Sequence, residues 1–242
     1  MSPDAVTEWL DAVLREPARL DRAVPDEGVA GALRRLDTTL GAPARQDLRA
    51  ALLALTRRWM REPGESDAYV DGLLHAVLAF DIKDAGPYLA GFVAGEPFAG
   101  LTPAQRRAVV AALHDLRTPL AADAWEALAR RHPELGVLAF SGLAERQPKA
   151  AGRVARVIAP ERADELWVAL AALDETLSAS ALEALAGELR GGLSALAPDV
   201  QSAVKEWLAG KLPATRRLDG LHAALRGFFG QTYQPSPCSA RL

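Results

Sequence analysis

The sequence predicts an all-α protein of short, stacked antiparallel helices, and three observations carry that prediction. Alanine and leucine dominate, isoleucine occurs only at Ile82 and Ile158, and threonine is scarce. That balance favours helix, because strands draw on β-branched and aromatic side chains. Prolines recur along the whole chain, and a proline is tolerated in the first turn of a helix but breaks its interior, so no helix is long. Between the prolines, apolar residues return at helical spacing. At 242 residues, half of them hydrophobic, the chain builds a core without disulfide or metal staples.

The elements follow in order. The first helix, 3–15, opens on Ser2-Pro3 and carries the stripe Val6, Trp9, Leu10, Val13 and Leu14. A second, 27–40, lies between Pro25 and Pro43. The third, 43–61, buries Leu48, Leu52, Leu55 and Trp59, and helices at 67–80 and 84–95 follow the break at Pro63. Thr102 before Pro103 opens 103–117, where Gln105 completes a capping box and Val109, Leu113 and Leu116 form the stripe. Thr118-Pro119 opens 120–131, and Pro133, Pro148 and Pro160 delimit 134–146, 149–158 and 161–173. Ser180 and Glu183 fit a capping box for 180–190. Val200, Val204 and Trp207 stripe 199–210, and 214–229 follows Pro213. Residues 1–229 are therefore expected as a single helical-repeat domain with a joint near 80–101, and 230–242 as a flexible tail.

Two short helices in about 40 residues is the period of HEAT repeats, and the chain resembles a HEAT-like α-solenoid with right-handed stacking. Trp125, Trp167 and Trp207 are spaced at about that period, but the helix count puts three steps between the first pair and two between the second, and Trp9 and Trp59 do not keep it, so the repeat reading rests on helix length and number. In length and short-helix pattern the chain also looks like the HEAT-like alkylpurine DNA glycosylases. That resemblance covers architecture alone, and implies a basic concave face with tryptophans and an acidic residue around a damaged nucleotide.

A net charge of −3 and a pI near 5.9 give no overall field toward nucleic acid or an anionic membrane. The start "MSPDAVTEWL" does not read as a secretory signal, no stretch is apolar enough to span a bilayer, and the lone Cys238 suits a reducing compartment. A cytoplasmic protein is expected, and the arginine- and alanine-rich usage suggests a GC-rich bacterial source.

Candidate sites are set by charge and aromatics. Arginine doublets at Arg34-Arg35, Arg57-Arg58, Arg106-Arg107, Arg130-Arg131 and Arg216-Arg217 would form a ridge for phosphates or acidic side chains if successive helices aligned them. Alternatively they are solvated cations near helix ends, since adjacent helix residues point about 100° apart. Glu65, Asp67, Asp71, Asp81 and Asp84 form an acidic run that would receive a basic partner or simply occupy helix starts and loops, and Lys205, Lys211, Arg216, Arg217 and Arg226 give the C-terminal region the opposite bias. Asp71 and His75, like Asp219 and His222, share a helix face, but no third ligand accompanies either pair, nor His114 or His132, so no metal is expected. The tryptophans read as core before stacking platforms. Phe80, Tyr88, Phe92 and Phe98 mark the best place for an apolar pocket.

No phosphate loop, nucleophile elbow or zinc-protease signature is present, and Cys238 has no base beside it. The expected function is a non-enzymatic scaffold or adaptor that binds a protein partner and needs no cofactor. The expected contact residues are Arg57, Arg58, Arg106, Arg107, Arg130, Arg131, Asp67, Asp71, Asp81 and Asp84. A nucleic-acid binder or glycosylase, and a small-molecule sensor or enzyme, are the alternatives.

Overall fold

The computed structural model describes residues 3–16 and 41–209, and all regular structure within them is helical. The helices expected at 27–40 and 214–229, the doublets Arg34-Arg35 and Arg216-Arg217, Lys211, Asp219, His222, Arg226, Cys238 and the tail 230–242 lie outside the described residues. The chain divides into two compact units, residues 1–120 and 121–242. Residues 80–101, expected as a joint, fall inside the first unit.

The first unit holds α1 (Pro3–Arg15), α2 (Ala42–Arg61), α3 (Asp67–Ala79), α4 (Ala85–Ala94), the single turn α5 (Glu96–Ala99) and α6 (Pro103–Asp115). Starts follow from side chains that satisfy free backbone N–H groups. Ser66 Oγ accepts the Tyr69 N–H at 3.2 Å to open α3. At α6 the expected capping box forms in full: Thr102 Oγ1 accepts the Gln105 N–H at 3.2 Å and Gln105 Oε1 accepts the Thr102 N–H at 3.3 Å.

Two helix stops use left-handed residues other than glycine. Asp81 (φ 48°) ends α3, with the Ile82 N–H on Val77 O and the Asp81 N–H on Leu78 O, both at 3.0 Å. Arg117 (φ 56°) ends α6 in the same way, with the Thr118 N–H on Leu113 O and the Arg117 N–H on His114 O. Both pairs of bonds make a Schellman motif. Thr118 and Pro119 therefore close a helix instead of opening one, contrary to expectation, and the next helix starts at Ala122 with no side-chain cap.

The second unit holds α7 (Ala122–Arg131), α8 (Gly136–Ala144), α9 (Pro148–Ala155), α10 (Ala163–Thr176), α11 (Ala179–Gly192) and α12 (Pro198–Leu208). Tight 3-10 turns at Pro133–Leu135, Pro160–Arg162 and Leu193–Ala195 join them. The capping box expected of Ser180 and Glu183 is not made. Ser178 is the cap, its Oγ accepting the Ala181 N–H at 3.3 Å, so Ser180 falls inside the first turn.

In both units helices pack on their chain neighbours, α1 on α2 and α8 on α9 among them, and also across an intervening helix. In the second, α7 packs on α9 and α9 on α11, while α8 packs on α10 and α10 on α12. In the first, α1 packs on α3 and α3 on α6, while α2 packs on α4. Leu10, Leu52, Leu73, Leu89 and Leu113 are fully buried in one core, and Leu128, Phe140, Leu166, Leu170 and Leu185 in the other. Each contributes about 1.5–3 kcal/mol by leaving water. Trp59, Trp125 and Trp207 are buried with them, but Trp9 is 38% exposed. It sits about 100° around α1 from Leu10, at the edge of the stripe rather than within it.

Candidate functional site

In the first unit α2 and α4 pack together, and an open groove of about 580 Å³ is formed largely by their residues. Arg57, Met60 and Arg61 line it from α2, their spacing placing all three on one helix face. Tyr88, Gly91 and Phe92 line it from α4, and Gly95 and Pro97 from the turn beyond. No acidic side chain is among these residues.

The Arg57 guanidinium lies over the Tyr88 ring, 4.0 Å from its centroid, and donates a hydrogen bond to the Tyr88 hydroxyl. Stacking holds the cation flat and leaves further N–H groups at its edge. Arg61 Nε donates to Arg57 O at 3.3 Å. Tyr88 is 41% exposed, whereas Phe92 is held from within by Trp59 at 5.3 Å, itself buried, and by Phe98 at 6.0 Å. The groove thus has a fixed aromatic wall and two cations.

Gly91 stands inside α4, where glycine is disfavoured by about 1 kcal/mol relative to alanine. A Cβ built there meets nothing within 4 Å among the described residues, so packing against them does not require it. Gly86 is the opposite case. Its Cβ would fall 2.1 Å from Thr118 Oγ1, so the first turn of α4 approaches the end of α6 only because this residue has no side chain.

A separate polar network ties α1, α2 and α3. Asp11 accepts from the Tyr69 hydroxyl at 2.7 Å and from Arg58 at 2.5 Å, and Arg15 grips both carboxylate oxygens of Glu65. Burial acts to raise the Asp11 carboxyl, but the Tyr69 hydroxyl and the charges of Arg58 and Arg15 outweigh it and hold the group below its ordinary value. Burial, reinforced by Asp11, pushes the Tyr69 phenol up, which keeps it a donor. Gln105 Nε2 donates to Glu65 O at 2.8 Å and Thr102 Oγ1 to Asp67 at 2.7 Å, extending the network to α6.

The residues singled out from sequence scatter accordingly. Arg57 enters the groove while Arg58 turns to Asp11. Arg106 donates to Ala99 O and Leu101 O, and Arg107 is exposed on the same helix. Arg130 pairs with Glu126 at 2.9 Å beside exposed Arg131, both in the second unit. Asp67 and Asp71 lie at the start of α3, where Asp71 pairs with His75 at 3.2 Å. Asp81, paired with Lys83, and Asp84 lie past its far end, a helix length of about 20 Å away. Among the described residues, no group of three or more His, Cys, Asp or Glu is placed to hold a metal ion, and no helix is long and apolar enough to cross a membrane.

No family model, curated protein or solved structure matches the chain. The groove offers stacking, apolar contact and hydrogen-bond donation, the elements of recognition. Sequence reasoning named Tyr88 and Phe92 as pocket residues and Arg57 as a cation, but had no signal for their meeting. It missed Asp11, Arg15 and Tyr69 altogether.

Proposed function

We propose that this protein is a non-enzymatic helical-repeat adaptor and that it binds a protein partner through the α2–α4 groove. The observation that carries the reading is the Arg57–Tyr88 pair on the rim of an apolar groove: an exposed tyrosine held by a stacked arginine is a rigid, amphipathic contact residue of the kind that anchors protein interfaces. The packing supports a HEAT-like stack within each unit, since helices lie against their chain neighbours and also against helices of the next pair. Such stacks present long helix faces to partners.

Affinity capture from the source organism tests this, using the full chain and its Gly91→Leu variant. The added side chain enters open groove space and raises helix propensity, so folding is spared. The reading expects one stoichiometric protein with the parent chain and its loss with the variant. Equal recovery on both, or recovery of nothing, rejects it.

A further inference from the structure

We infer that the groove takes a short acidic segment of a partner protein bearing one aromatic or branched aliphatic side chain, an assignment that rests on the binding role just proposed. Charge argues first. Arg57 and Arg61 lie one turn apart on the same wall, and no carboxylate is among the described residues that line the groove with them. Tyr88 engages one face and one edge of Arg57, and Arg61 gives its Nε to a backbone carbonyl, so terminal N–H groups on both remain for carboxylates.

Shape argues second. Phe92, backed by Trp59 and Phe98, gives a firm apolar surface against which a side chain packs without displacing the core. Beside it, Gly91 keeps the α4 backbone bare where a Cβ would meet only open space. A helix that carries an unfavourable glycine, with no contact among the described residues to justify it, is suited to close approach from outside. A segment with two or so carboxylates matches two arginines one turn apart.

The probe is a displayed library of random dodecapeptides, selected on the full chain and counter-selected on Gly91→Leu. Enrichment of sequences that combine several Asp or Glu with one aromatic or branched residue is expected. In fluorescence polarisation, binding of the leading peptide should weaken about tenfold or more with Arg57→Ala and Arg61→Ala together, and similarly when its acids become amides. Thermal melting of the double variant verifies that the chain remains folded. Basic or uncharged winners, or winners that bind Gly91→Leu equally well, would overturn the inference. A thymidine oligonucleotide that binds through the same arginines would reassign the groove to nucleic acid, and dimerisation abolished by Gly91→Leu would reassign it to a second copy; either result also overturns it. If host capture depends on an open groove but the library shows no acidic bias, the occupant class fails while the adaptor reading stands.

Discussion

The two units share one packing scheme and differ in what ties their helices together. Among the described residues of the second, Arg153 to Asp123 at 2.6 Å and Gln201 to Leu193 O at 2.9 Å link separate elements, and pairs such as Arg130–Glu126 lie within one helix. Trp125, Phe140 and Leu170 are buried in its core. In the first unit a polar network crosses α1, α2, α3 and α6, and an aromatic cluster closes α2 onto α4. An apolar stack tolerates many sequences of the right volume, whereas directional bonds fix where particular side chains stand. The unit with fixed side chains is the one that carries the groove.

Substitutions should show that difference in descending size. Trp125→Ala removes a fully buried tryptophan from the second unit and should lower stability by about 3–5 kcal/mol in chemical denaturation. Tyr69→Phe removes one hydroxyl from the first unit and should lower it by about 1–2 kcal/mol, because Asp11 loses a donor while Arg58 remains. A loss from Tyr69→Phe as large as that from Trp125→Ala would show that polar bonds, not apolar burial, dominate the whole chain.

The two α4 glycines separate close packing from open space. Gly86→Ala, driven against Thr118, should destabilise by about 1–2 kcal/mol, while Gly91→Ala should stabilise by about 0.5–1 kcal/mol, read as opposite shifts in Tm. Asp81→Gly should stabilise by up to about 1 kcal/mol by relieving a left-handed aspartate.

Acid gives a further contrast. Asp11 is held below 3.8, its ordinary value, in the folded state, so its contribution is complete above pH 3.8 and is lost as pH falls through the lower folded value. Asp11→Asn should therefore flatten the acid limb of a stability profile measured between about pH 2 and 5. An unchanged limb would remove Asp11 from the account.

Much of the architecture was legible in the chain. Thr102 and Gln105 announced a capping box because both partners lie within one turn. The stops at Asp81 and Arg117 were hidden, since neither carries the glycine that marks a left-handed residue. The candidate site was legible only in pieces. Tyr69 is 58 residues from Asp11, and Arg57 is 31 from Tyr88, distances across which sequence spacing gives no register. The doublet Arg57-Arg58 divides as helix geometry requires: neighbours on a helix diverge by about 100°, so one arginine reaches the groove and the other reaches α1.

The most direct measurement places a photo-crosslinking amino acid at Tyr88 in one sample and at Arg190, exposed on α11 of the second unit, in another, then irradiates each in the host lysate. The groove account predicts one discrete protein adduct from position 88 and none from position 190. The same adduct from both positions, or an adduct from position 190 alone, would contradict it.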